Sequence, residues 1–392
     1  MTKGLSSGVA VALIAGVAMG SAGTNVMPVF IDDFASRDGT AVAGLVGAAQ
    51  LMATAVVTLL LAGRAARPGR AGMARFGLVL AAFGALWVGI ADDPVTLLLT
   101  NLLLGAALGV VYAAATAALA AAEDSDRASV VAVAGTVVVA ALMIVAVPLA
   151  NEQWAGSGFF LLAACCVVAW FLVGKLPESP VAVLPEDPAT APKSPAGRPS
   201  SVLLVGTALL WTITQGTWAY ASVLGREHTG VDATTVSVIL AVSSVVALAG
   251  AVAGTPAARR FGRLRSMVVF VGVEAVAMAV VVITGEPVLF TVAAVVWQAC
   301  QLAVLVQMVA AAAVLDPSGR LVASLSGASA LGTGVGPLAV SLLLDNAGAE
   351  VLGLAFAVGM VVVSLPLLRM TTAADNRLAA EVPIAAGEAS SR

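Results

Sequence analysis

Apolar residues dominate this chain in long unbroken runs, separated by short breaks that hold most of the charge, proline and glycine. Each run is close to the ~20 residues needed to cross a bilayer as a helix. Cutting at the breaks predicts twelve spans, near 6–31, 41–62, 73–91, 95–121, 128–150, 155–174, 201–223, 233–254, 266–284, 288–314, 321–344 and 350–369. The runs are apolar all round and too long for barrel strands, which would alternate and be half the length. The first run follows Lys3 and could pass for a signal peptide. It continues to about Ile31 with many spans behind it, and is read as the first transmembrane helix.

The breaks carry a bias. With the N-terminus placed in the cytoplasm, 17 of the 19 Lys and Arg residues fall on the inner side, and only Arg37 and Arg226 fall outside. By the positive-inside rule both termini are expected in the cytoplasm, which suits an even number of spans. The expected location is a cytoplasmic membrane.

The breaks also repeat. Arg67-Pro68-Gly69-Arg70 is answered by Arg260-Phe261-Gly262-Arg263, 193 positions later. Asp93-Pro94 is answered by Glu286-Pro287, and Arg127 by Arg320, in the same register. A repeat of about half the chain means two related domains rather than a solenoid. Between them, 177–200 contains seven prolines and is expected to be an extended, mobile linker. The predicted organisation is a six-helix bundle at 1–176, the linker at 177–200, a second bundle at 201–370 and a disordered cytoplasmic tail at 371–392.

Composition agrees with this picture. Apolar residues make up 60% and charged residues 10%, against roughly 25% charge in soluble domains. Basic residues form loop clusters rather than a groove lining, so nucleic acid is not an expected partner. The three cysteines and single histidine have no metal-ligand spacing, and no metal site, disulfide framework or cofactor is implied. There is no nucleotide-binding loop and no catalytic constellation, which argues against an enzyme.

Two six-span halves, a polar central loop and an Arg-x-Gly-Arg turn after the second span of each half resemble the major facilitator superfamily. The resemblance covers spans 1 to 12. It implies an all-α membrane transporter of two pseudo-symmetric bundles, with a cytoplasmic gate at Arg67, Gly69, Arg70, Arg260, Gly262 and Arg263. The family's turn usually carries an Asp before the first Arg; Ala66 and Arg259 stand there instead. A charge latch would therefore need another carboxylate, and Glu123, Asp124, Asp126 and Asp316 are the candidates on that side. Gly332-x-x-x-Gly336-Pro337 in span 11 resembles a motif that drug/proton antiporters carry in span 5. Close helix packing explains it equally well.

The resemblance also implies that spans 1, 4, 7 and 10 line a central cavity, and those spans hold amide and aromatic side chains. Asn25 and Asp32 return within about 20° of one another on a helix, as do Asn101 and Tyr112. Trp211, Gln215 and Trp218 recur at i, i+4 and i+7, and Trp297, Gln298 and Gln301 share an arc. Such stripes must face protein or water. They are candidate substrate-binding residues, with interhelical hydrogen bonding as the alternative. Glu274 in span 9 and Asp32 at the outer end of span 1 are candidate proton-coupling groups, either of which has an alternative structural role. No Lys or Arg lies deep in any span, which disfavours strongly anionic substrates.

The expected function is secondary transport of a small neutral, amphipathic or cationic organic molecule by a monomer in the bilayer, with proton-coupled efflux preferred over proton-coupled uptake. A transporter-like sensor or assembly protein without flux is the alternative of a different class.

Overall fold

The computed structural model describes residues 5–179, 200–316 and 319–389. Ten of its helices are long and apolar enough to cross a membrane. Divided at the kink in the last of them they make eleven crossings, and the broken first span makes the twelfth. Span 1 is broken into Ser7–Gly20, Ala22–Asn25 and Met27–Asp38. Spans 11 and 12 run together as Arg320–Ala389, divided by Gly348 at φ 77°, ψ 171°. The remaining spans are Thr40–Ala65, Arg70–Gly89, Pro94–Ala120, Ser125–Asn151, Ser157–Leu172, Ser201–Thr229, Ala233–Phe261, Arg263–Ile283 and Pro287–Leu315. The protein is a multi-pass, all-helical membrane protein of two six-helix bundles.

Residues 180–199 of the expected linker lie outside the described residues. The helix of span 12 runs on to Ala389. Met370, Thr371 and Ala374 share a buried face there. Residues 390–392 lie outside the described residues.

Small residues set the closest helix approaches. Gly105 and Gly109 of span 4 lie against Gln50 and Thr54 of span 2. A Cβ on Gly105 would sit 2.1 Å from the Gln50 carbonyl oxygen. Thr54 and Thr58 donate hydroxyls to the carbonyls of Gly105 (2.9 Å) and Gly109 (3.2 Å). In the second bundle the seam between spans 8 and 10 has its glycine on the other member: a Cβ on Gly250 would meet the Ala299 carbonyl oxygen. Gly332 and Gly336 likewise let span 11 approach span 7, where Thr212 donates to the Gly332 carbonyl at 3.2 Å. Backbones this close gain dispersion contacts and weak polar contacts without a hydrophobic driving force.

The two bundles touch near the face opposite the basic turns. Glycine at 44 and 47 brings span 2 to Ser341 and Pro337 of span 11. Tyr220 donates to the Thr40 carbonyl at 2.7 Å, Thr234 to Glu152 at 2.9 Å, and the Thr40 hydroxyl bonds Asp345. Arg226 forms an ion pair with Asp32 at 3.0 Å. These contacts between the bundles lie at the face opposite the basic turns.

Candidate functional site

Between the bundles lies a cavity of about 230 Å³. Its walls include Asn25, Trp211, Gln215, Trp218, Gln298 and Gln301. Six of the nine candidate binding residues thus come together, from spans 1, 7 and 10. Thr24, Val137, Ala140, Ser244, Ala247, Leu302 and Leu305 complete the lining. No ionisable side chain is among the lining residues. The Gln298 Nε2 is buried and has no hydrogen-bond partner among the described residues, leaving a donor for whatever enters.

The break in span 1 builds the roof. Pro28 has no N–H, so the carbonyl four residues earlier, on Thr24, loses its normal helical donor. The Trp218 indole N–H reaches across from the second bundle and donates to that carbonyl at 3.2 Å. Trp218 lines the cavity and stands edge-on to Trp297, ring centres 6.2 Å apart. Asn25 is held by its own turn, donating to Ser21 Oγ at 3.0 Å, while Ser21 donates to the Val17 carbonyl at 2.7 Å.

Three candidates lie elsewhere. Asn101 is fully buried and donates to the Leu97 carbonyl at 2.8 Å. Tyr112 packs against Gly20 of span 1. Neither lines the cavity; Gly105 and Gly109, which lie between them on span 4, meet span 2, and the Tyr112 backbone meets span 1. Trp297 is also fully buried, behind Trp218 rather than on the cavity wall. Spans 5 and 8 contribute lining that sequence reasoning missed. Only Ser244 carried a polar signal; Val137, Ala140 and Ala247 carried none.

Glu274 is buried in span 9, and neither carboxyl oxygen has a hydrogen-bond partner among the described residues. It is not part of the cavity lining. Asp32 faces Arg226 across the bundle boundary, a close pair without hydrogen-bond alignment. Asp33 beside it pairs with Arg37 at 2.8 Å and accepts from Asn151 at 3.2 Å.

The basic turns differ from expectation. Gly69 and Gly262 have φ of 106° and 85°, a region that disfavours any side chain, so glycine is required for the turn. Arg70 is buried and folds back onto the end of span 2, donating to the Ala65 and Ala66 carbonyls at 2.7 and 2.8 Å. It also holds the Pro177 and Ser179 carbonyls at 2.9 and 2.8 Å. The acidic partner is Glu178, which accepts from the backbone N–H groups of Gly69, Arg70 and Ala71 at 2.6, 3.0 and 2.8 Å. Burial pushes its carboxyl up, but these three donors and the Arg70 charge outweigh that and hold it below the usual glutamate range. In the second bundle Asp375 takes the same place, accepting from Leu264 N–H at 3.4 Å and facing Arg263 at 3.6 Å.

Glu123, Asp124, Asp126 and Asp316 do not supply these contacts. Asp124 caps span 5 through Arg127 N–H, and Asp316 accepts from Leu321 N–H. A helix N-terminus offers unsatisfied donors and a positive dipole end, so the nearest following segment supplies the carboxylate. Arg67 and Arg260 are exposed. Arg260 lies over the Phe261 ring at 5.4 Å.

Two bundles around a central cavity define the class: a membrane transporter fold. The family model of the Major Facilitator Superfamily matches residues 8–315, and the chain belongs to that superfamily. Solved structures agree on the fold. A peptide transporter of the POT family, in complex with sulfate, superposes with a TM-score of 0.72 at 12% identity, covering 96% of each chain. The nucleoside transporter NupG gives 0.69 at 14% identity, covering 93% of this chain and 99% of its own. The human organic anion transporter MFSD10 gives 0.62 at 15% identity, covering 92% and 99%. No curated protein matches the sequence. The protein is therefore a membrane transporter of the superfamily, embedded in a bilayer and handling a small-molecule substrate.

Proposed function

We propose that the protein is a proton-coupled secondary transporter that exports a small neutral or cationic amphipathic molecule by alternating access. The observation that carries this reading is the lining of the central cavity: two indoles and four amide side chains, with no ionisable group. Indole faces attract a cation or an apolar surface, and amides orient a polar end. At about 230 Å³ the cavity is below the ~300 Å³ of typical ligand pockets, which suits a small molecule. The excess of Lys and Arg on one side supports cytoplasmic termini. In that orientation the bundles meet at the outer face and the cavity is served from the inside.

Glu274 is the proposed proton carrier. A carboxyl buried in a span without a partner is a functional candidate by default. The Asp32–Arg226 pair is the proposed outer gate contact.

Reconstitution in proteoliposomes with an imposed pH gradient tests the proposal, using a panel of neutral and cationic amphipaths. Gradient-dependent movement is expected for at least one compound that binds. Binding without movement of any compound would favour a sensor, and accumulation in the opposite direction would favour uptake. Gln215→Ala is expected to weaken binding about 2- to 13-fold, the loss of one hydrogen bond of ~0.5–1.5 kcal/mol. Glu274→Gln is expected to retain binding and remove the pH dependence of flux. Unchanged pH dependence would leave Glu274 a structural residue.

A further inference from the structure

We propose that a groove between spans 3 and 6 is a site for one anionic phospholipid, with an acyl chain in the groove and the headgroup at Arg75. The groove holds about 320 Å³ and is apolar throughout. Leu78 and Cys166 form a buried floor, while Phe83, Val167 and Phe171 stand exposed as walls. Its helices are parts of the lipid-facing surface, so the groove opens where acyl chains are the available solvent.

One end of the groove is charged. Arg75 lies over the ring of Trp170, a groove residue, at 4.8 Å, and donates from Nε to the Trp170 carbonyl at 3.3 Å. Gly174 makes room for it: a Cβ there would sit 2.6 Å from Arg75 Nη2. Among the described residues, no carboxylate forms an ion pair with Arg75. The guanidinium is thus positioned by an aromatic face and a carbonyl, with its charge left uncompensated.

The dimensions fit a single leaflet. From Arg75 to Leu86 span 3 rises about 16 Å at ~1.5 Å per residue, close to half of a ~30 Å hydrocarbon core. Arg75 lies near the face of the basic turns, five residues past Arg70, so the groove runs from that face to mid-membrane. Basic pockets between spans on such a face suit phosphate headgroups. The arrangement is particular to the first bundle, because the residue 193 positions after Arg75 is Val268.

The test is native mass spectrometry of the full-length protein in detergent, with equal amounts of dioleoyl phosphatidylglycerol and dioleoyl phosphatidylcholine. The phosphatidylglycerol adduct is expected to exceed the phosphatidylcholine adduct about fivefold, as one arginine near a phosphate implies. Ala82→Trp fills the groove from its lipid side and is expected to remove both adducts while the thermal unfolding midpoint holds. Arg75→Gln is expected to keep an adduct but reduce the preference to about onefold. Equal retention of the two lipids by the unmodified protein, or an undiminished phosphatidylglycerol adduct in folded Ala82→Trp, would overturn the site.

Discussion

Replacing Tyr220 by phenylalanine removes one hydroxyl from the seam that joins the bundles. The ring is fully buried and its hydroxyl donates to the Thr40 carbonyl across the bundle boundary at 2.7 Å. Thr40 opens a helix, so its carbonyl retains an intrahelical donor, and Tyr220→Phe strands no buried group. The cost to the closed seam is one net hydrogen bond, ~0.5–1.5 kcal/mol. If the seam opens in the transport cycle, only the closed state is penalised, and its ratio to the open state falls about 2- to 13-fold. Trp218→Phe serves as the comparison. Pro28 leaves the Thr24 carbonyl without a helical donor, so losing the indole leaves a part-buried acceptor with no donor from the chain, which should cost more than the net bond lost in Tyr220→Phe and up to ~3 kcal/mol, about 160-fold. Single-molecule energy transfer between labels at Ser36 and Ala347, both exposed on that face, reads the two populations once Cys165, Cys166 and Cys300 are replaced. The expected order is unmodified, Tyr220→Phe, then Trp218→Phe, with increasing occupancy of the long distance. A Tyr220→Phe shift that equals or exceeds that of Trp218→Phe would refute the role of the proline-freed carbonyl. Unchanged populations in both would refute the seam as a gate.

Glu178→Ala should remove the cap on span 3 and lower stability by ~0.5–2 kcal/mol, read as a lower midpoint of thermal unfolding in detergent. The effect of Glu178 has a pH sign. Its folded carboxyl titrates below the ordinary value of 4.5, so its contribution is complete above that value and is lost as pH falls through the folded value. The gap between Glu178→Ala and the unmodified protein should therefore close in acid, and a constant gap would count against the cap. Gly250→Ala places a methyl on the Ala299 carbonyl and should cost at least ~1–3 kcal/mol through overpacking, whereas Gly272→Ala, mid-helix with nothing near its Cβ position, should be neutral or stabilising by up to ~1 kcal/mol in the same melt.

The spans were legible because each is one apolar run between polar breaks, and a bilayer imposes that pattern. The cavity was legible in part. Trp211, Gln215 and Trp218 repeat at helical spacing, and that stripe does face the cavity. Helical spacing shows which residues share a face, but not what the face meets. Asn101 and Tyr112 share a face by spacing but are not among the residues lining the cavity, and Gly105 and Gly109 between them lie against span 2. The carboxylates of the basic turns were missed for a different reason. Their place is set by where the chain goes after spans 6 and 12, and Glu178 and Asp375 lie about a hundred residues from the turns they cap. By its apolar run span 1 reads as one helix over 6–31; the break lies beside Pro28, and the donor that answers it comes from the other half of the chain.

The glycine seams have a consequence for how the halves can diverge. In the first half the missing side chain belongs to span 4; in the second it belongs to span 8, the counterpart of span 2. Each duplicated unit has kept a backbone contact by deleting a Cβ from opposite partners. Residues at equivalent positions are consequently not exchangeable between the halves one at a time. A transplant of Gln298 into position 105, its 193-residue counterpart, would collide with span 2 although both positions occupy the same place in their repeats. Each half keeps a close backbone approach with the glycine on opposite partners, so an exchange between the halves needs paired substitutions on both sides of a seam.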